Sequence, residues 1–393
     1  MHTTLPRFAR TDQERMPGLD LLRAIAIVWV MAYHVTSAGV LLPALAEFGW
    51  MGVDLFFVLS GYLIGGQAFA ACLAPDGPRW GQFMARRAWR VLPAYLAVLA
   101  LYLWIPAWRE SPGMQPAWQF VTFTANLFPD YANHRAFSHA WSLCVEEHFY
   151  LVLPLVASFL AWRPAAWKAA ALVGTILVGG MLLRSWVWYA EVAPYLGVAG
   201  GKDAGVLRYI ERIYNPTWAR LDGLLVGASL AAVRLCRPGW WNRMTERAWA
   251  FLLLGVAGVA ATAGLLFDGP LNAGMAIAGF PLLSISLGGI VVGCASRRSW
   301  CGRVTLPGAR TLATLAFSLY LTHKSAYHLV REQPGMLAGG ANLQALAIYG
   351  LAALLCAALL YLLVERPGLR LRDRLFGHVR AGPAVSLRTA GSS

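Results

Sequence analysis

The sequence predicts an all-α polytopic membrane protein with about ten transmembrane helices and both termini in the cytoplasm. Three observations carry this. The chain is 58% hydrophobic and 13% charged, with a mean hydropathy of +0.53, a balance outside the range of ordinary soluble domains. Apolar stretches long enough to cross a bilayer recur along it. The basic residues then sort to one side of the topology those stretches define.

A hydrocarbon core of ~30 Å takes about 20 apolar residues to cross as helix. Such stretches fall at about 19–40, 50–71, 90–108, 141–162, 167–188, 218–235, 248–267, 273–296, 311–331 and 343–364. With the N-terminus inside, the cytoplasmic segments carry 24 of the 33 Lys and Arg, clustered at 7–23, 79–90, 163–168, 234–247, 297–310 and 366–388. That is the positive-inside distribution. The net charge of +14 is therefore an orientation signal, and nucleic acid is excluded as a partner. The segment after Arg23 is apolar for longer than a signal-peptide core and lacks an A-x-A site, so it reads as a retained first span. The six cysteines are scattered, with no CxxC pair and no His/Cys cluster at zinc spacing, so neither a disulfide framework nor a metal is expected. Two long outer connections, 109–140 and 189–217, are rich in aromatic residues suited to the interface or to folding back over a cavity mouth. After Arg366 the chain is basic, then rich in Gly, Ala and Ser, as frayed tails are. No internal repeat of the transporter kind is visible.

Ionisable residues within spans are costly and mark function by default. Arg23 and His34 lie eleven positions apart on the first span, which returns them to one helix face ~16 Å apart along the axis. Asp54 falls near the outer end of the second span, with Ser60-Gly61 deeper. Glu146 and Glu147 lie two turns into the fourth. Arg220 and Asp222 stand at the outer end of the sixth; being two apart they cannot face each other, so each seeks a partner on another span. His323 and Lys324 lie in the outer half of the ninth, and Lys324, Tyr327 and His328 are placed to line an outer mouth. Five helices thus bring ionisable groups to similar depth, while Arg23 stands at the inner end with Arg86, Arg87 and Arg90 nearby. A histidine beside a carboxylate is the usual base for taking a hydroxyl proton, and arginines at a cytoplasmic mouth suit phosphates. Structural alternatives stand beside these readings. Arg23 can pair with Asp20, His34 can be a hydrogen-bonded interface residue, and Ser60-Gly61 can be a helix-packing pair. Cys144 has no activating base beside it other than His148. Glu365-Arg366-Pro367 reads as a helix stop.

The R-x10-H spacing of Arg23 and His34, the Gly52–Tyr62 stretch with its FF-x-x-SG core, W-S-L-x-x-E-E-x-F-Y at 141–150, R-L-D-G at 220–223 and S-L-Y-L-T-H at 318–323 together resemble the bacterial membrane acyltransferase family 3. The motifs run in order from residue 18 to 367. The resemblance implies a multispan enzyme of the bacterial inner membrane. Its reaction would transfer an acyl group, often acetyl from acetyl-coenzyme A, to a hydroxyl of an extracytoplasmic glycan or glycoside. It implies functional roles for Arg23, His34, Ser60 and Glu146. The full expectation is catalysis by His34, Glu146, Asp54 and Ser60, with acyl-coenzyme A held by Arg23, Arg86, Arg87 and Arg90. Glu147, Arg220, Asp222 and His323 would handle the acceptor. Residues 1–17 form a cytoplasmic segment, 18–367 the membrane acyltransferase domain and 368–393 a flexible basic tail. Cys144 stands where the family often has serine, which speaks against an essential cysteine. The extra periplasmic hydrolase-like domain of some members has no room after the last span, so this chain completes transfer alone or with a separate periplasmic partner. A proton-coupled transporter or flippase, with Asp54, Glu146 and His34 as a relay, accounts for the same buried charges but not for the motif set.

Overall fold

The computed structural model describes residues 16–37, 39–264, 271–333 and 342–377. Its principal helices, in chain order, are α1 (Pro17–Thr36), α2 (Met51–Cys72), α3 (Trp80–Trp104), α4 (Trp141–Ala161), α5 (Ala166–Val187), α6 (Asp222–Cys236), α7 (Ala248–Gly264), α8 (Phe280–Ala295), α9 (Ala309–Arg331), α10 (Asn342–Leu360) and α11 (Arg366–Phe376). There are no strands among the described residues. α1 starts on Pro17, whose missing N–H costs nothing in a first turn, and carries Asp20 where the helix dipole favours an anion.

Each of the ten predicted stretches contains a helix. By length and hydropathy, however, only six helices among the described residues qualify as spans, or seven if the pair Pro238–Glu246 and Ala248–Gly264, bent by 75°, counts as one. The shortfall has a physical reason. α6 is 15 residues long, α9 carries Arg310, His323, Lys324 and Arg331, and α3 begins a turn and a half before Arg86. The sequence reading put 79–90 in a loop. The chain is already helical from Trp80, so Arg86, Arg87 and Arg90 project from α3. The N-terminal segment up to residue 15, and residues 378–393 of the basic tail, lie outside the described residues. The part of that tail up to Phe376 is helical and packs on α3, Gly368 meeting Pro93.

α1 packs on α2, α8 and α9, and α2 lies against α4, α6 and α8. The α2–α6 crossing is the tightest. Gly61 and Gly65 of α2 face Leu224 and Ala228, Gly223 and Gly227 face Phe57 and Val58, and a Cβ on Gly61 or Gly227 would collide with the Leu224 or Val58 carbonyl oxygen. Small residues at four-residue spacing let backbones approach in this way. Ser60-Gly61 is therefore a packing pair through its glycine.

The first long connection folds back over the bundle. Phe120 and Phe137 are buried, and Phe137 stacks on Tyr102 at 4.4 Å and Tyr95 at 5.7 Å. Phe137 has φ of +58°, a conformation costing a non-glycine residue ~1–3 kcal/mol. Those stacking contacts, and its N–H donated to Glu110 at 3.2 Å, hold it there. The sharp turn delivers Ser138 and His139 to α9.

Candidate functional site

The predicted site residues fall into three groups. The first is a polar cluster at the end of the bundle where α1 finishes. His34, in the last turn of α1, lines a cavity of about 140 Å³ with Ser37, Glu110, Lys324, Tyr327, His328 and Arg331. The His34 ring is 5.0 Å from His323 of α9, which is 5.4 Å from His139. Lys324 Nζ donates to Ser138 Oγ at 2.7 Å and pairs with Glu110 at 3.2 Å. Glu110 also accepts from Tyr102 at 2.8 Å. The cavity wall is thus built by α1, α9 and the folded-back connection. Lys324, Tyr327 and His328 line the mouth, as the sequence suggested.

The second group lies deeper, between α2, α3 and α4. Glu146 Oε2 accepts from Ser60 Oγ at 3.1 Å and from the Tyr150 hydroxyl at 2.7 Å, and Ser60 and Tyr150 also bond to each other. Arg87 donates to Glu146 at 3.4 Å, stands 3.8 Å from Glu147, and lays its guanidinium over the Tyr150 ring at 3.6 Å. Arg90 pairs with Glu365 at 2.7 Å, and Glu365 accepts from Ser318 at 2.6 Å. Arg86 donates to the Phe376 carbonyl at 3.1 Å and to that of Gly377, tying α3 to the end of α11. Arg23 pairs with Asp20, one turn back on its own helix, at 3.5 Å with its side chain 38% exposed. Arg23 lies within electrostatic reach of Arg90, which sets it beside this layer. Tyr320 stands between the two groups: its hydroxyl bonds Ser142, one turn before Glu146 on α4, at 2.6 Å and the His139 carbonyl at 2.9 Å, and its ring is 6.0 Å from His323.

The third group is set apart from both. Asp54 accepts from Arg220 Nη2 at 2.7 Å, and Asp222 accepts from Arg184 at 2.9 and 3.3 Å. All four side chains are at most 5% exposed. Arg184 further donates to the Ala219 and Ile277 carbonyls. Arg220 sits among Phe280, Tyr214 and Trp141, at 4.0, 4.6 and 5.2 Å from their ring centres. Arg220 and Asp222 do find partners on other helices, as their spacing requires. Neither lines the His34 cavity, and Asp54 and Glu146 are hydrogen-bonded elsewhere than to His34. The expected His34–carboxylate contact is absent from the described residues.

Sequence reasoning passed over four participants. His139 stands two residues before the W-S-L run and Tyr150 closes it, so both were within reach of a motif reading. Glu110 carries no local signal. Glu365 was read as a helix stop, whereas the wide π-turn Tyr361–Glu365 swings it inward, as such turns do at functional sites. Cys144 is fully buried, and His148 is engaged by the Thr217 hydroxyl at 2.7 Å. No group of three or more His, Cys, Asp or Glu among the described residues is arranged to hold a metal ion.

Comparison with known proteins bears on what this arrangement serves. Peptidoglycan O-acetyltransferase OatA of Listeria monocytogenes (strain EGD-e) is 28% identical over 243 residues, 58% of this chain and 36% of that protein. O-acetyltransferase OatA of Staphylococcus aureus (strain NCTC 8325) is 31% identical over 161 residues, 38% of this chain and 26% of that protein. The matches thus span about a quarter to a third of these relatives' length. No solved structure matches the chain significantly. The sequence profile of acyltransferase family 3, described as an acyltransferase domain, matches residues 16–362. With that match covering most of its length, this multi-pass membrane chain belongs to acyltransferase family 3.

Proposed function

We propose that the protein moves an acyl group, acetyl in the first instance, from cytoplasmic acyl-coenzyme A to a hydroxyl of an extracytoplasmic glycan or glycoside at a bacterial inner membrane. The observation that carries this reading is the polar column beside α1, from Arg23, Arg90 and Arg87 at one end, through Glu146, Ser60 and Tyr320, to His34 at the cavity. Arg23 is the natural first contact for the coenzyme's phosphates. Its pairing with Asp20 is partly exposed and worth at most ~1 kcal/mol, so an anion displaces that partner at little cost. Arg87 and Arg90, already neutralised by Glu146, Glu147 and Glu365, shape the wall the pantetheine arm passes. The ~16 Å rise from Arg23 to His34 is on the scale of that arm, so the thioester arrives beside the imidazole.

There the acceptor hydroxyl gives its proton to His34 as its oxygen bonds the acyl carbon. The carbon–sulfur bond breaks, and the departing sulfur takes the proton back from the imidazolium to leave as a thiol. Lys324, beside the cavity, is placed to stabilise the oxyanion formed in between. Ser60 and Glu146 belong to the passage and not to the proton transfer, and Arg220, Asp222 and Asp54 to the frame. The acceptor class rests on the family and on the peptidoglycan named for the Listeria relative.

The test uses purified protein in proteoliposomes, supplied with acetyl-coenzyme A and envelope glycan extracted from cells lacking the protein. His34→Ala should lower turnover ~10²–10⁴-fold, the usual worth of a positioned base. Unchanged acyl transfer by that variant would sink the reading. Mass spectrometry of envelope glycans from cells with and without the protein would identify the acceptor.

A further inference from the structure

His34 lacks the partner that a histidine base ordinarily has. To take a proton on one ring nitrogen, an imidazole must carry its own hydrogen on the other, and a neighbouring acceptor fixes which is which. The acceptor is usually a carboxylate. Here Asp54 is bound to Arg220, Glu146 to Ser60, Tyr150 and Arg87, and Glu110 to Lys324. His34 makes no hydrogen bond with any described residue.

Two buried lone pairs lie beside it. His323 is fully buried, and its Nδ1 lies 3.0 Å from the Leu319 carbonyl oxygen and 2.9 Å from that of Tyr320. A carbonyl oxygen only accepts, so Nδ1 carries the hydrogen and Nε2 is left as a bare acceptor. That Nε2 has no partner. His139, 4% exposed, shows the same pattern in mirror image: Nε2 donates to the Leu321 carbonyl at 3.3 Å, and Nδ1 is bare and unpartnered. A buried acceptor left unsatisfied costs ~1–3 kcal/mol, and the structure holds two of them in adjoining rings. His34, its ring 5.0 Å from His323, has an N–H that no described residue accepts.

We propose that Nε2 of His323 accepts the ring N–H of His34, holding His34 in the tautomer whose bare nitrogen faces the cavity. His323 is then a positioning residue. The backbone of α9 fixes the hydrogen on His323 Nδ1, and His323 in turn fixes the hydrogen on His34. A neutral imidazole here fixes the tautomer, as a carboxylate does in the Ser-His-Asp arrangement, without adding a charge. The inference rests on His34 being the base.

The test compares His323→Leu and His323→Gln in the proteoliposome assay, with acetyl-coenzyme A and the extracted glycan. Leucine fills the space but accepts no hydrogen bond; glutamine offers its Oε1 near the position of Nε2. His323→Leu should lose ~100-fold in kcat with KM for both substrates within about twofold, less than the ~10⁴-fold of a base forced into the wrong tautomer, and His323→Gln should recover to within about tenfold of the parent. Binding of acetyl-coenzyme A at parental affinity by His323→Leu shows that the variant is folded. Parental kcat in His323→Leu, a loss confined to KM or donor binding, or equal impairment of both variants would overturn the proposal. Full activity of His34→Ala would instead overturn the functional reading beneath it, so the two failures are distinguishable.

Discussion

Glu365 has two partners in the layer that holds Arg87 and Arg90. It is 2% exposed, accepts from Arg90 at 2.7 Å and from the buried Ser318 hydroxyl at 2.6 Å, and so joins the end of α10 to α3 and α9. Glu365→Ala removes both bonds at once, whereas Glu365→Gln keeps an acceptor for Ser318. The alanine variant should be destabilised by ~1–3 kcal/mol and the glutamine variant by less, read as thermal inactivation midpoints in one detergent. Equal midpoints for parent and alanine variant would refute the assigned bonds. At this scale the sequence speaks unevenly. Arg23 and His34 could be paired in advance because helical periodicity alone sets them on one face. Asp222 and Arg184 are 38 positions apart, and no periodicity carries a bond between two helices. Glu365 was misjudged for a related reason: Arg-Pro after a carboxylate is a sound stop signal, but the π-turn that buries the side chain follows from packing.

At the scale of elements, the α2–α6 pair is the frame on which both polar layers hang. Its glycines bring the backbones together, and Asp54–Arg220 fastens the end near His34, with Asp222–Arg184 binding α5 to the same point. A buried ion pair is costly to break from one side, because the remaining charge stays in apolar surroundings. Asp54→Ala should therefore cost ~3–5 kcal/mol, while the double variant Asp54→Leu/Arg220→Leu should regain most of that loss, the Phe280, Tyr214 and Trp141 rings packing as well on an aliphatic chain. Resistance to SDS-induced unfolding measures both. A double variant no more stable than the single one would show that Arg220 has a role beyond pairing. The glycine spacing of this crossing was readable at Ser60-Gly61, whereas the match to Gly223 and Gly227 needed the helices side by side.

At the scale of the whole molecule, the orientation drawn from the arginine distribution makes a direct prediction. Cys236 is exposed at the end of α6, the end shared with Arg23. In a variant keeping only this cysteine, a membrane-impermeant maleimide should label inside-out vesicles and leave intact spheroplasts unlabelled; the opposite pattern would invert the topology. The number of spans was harder to read than the all-helical class, because hydropathy reports what a helix exposes on average. α9 turns His323 and Lys324 into the bundle and α3 turns in Arg87, so both helices score as polar while lying among apolar neighbours. The contact of backbones at Gly61 and Gly227 has a consequence for how anything gets from one end to the other. Helices that touch main chain to main chain, and are fastened at one end by two buried ion pairs, do not rock or slide past each other, so Ser60 and its neighbours ride on a stationary part. In the proposed reaction, transport between the two faces then falls to the reach of a flexible thioester arm along a fixed track, with the protein contributing no moving piece at that crossing.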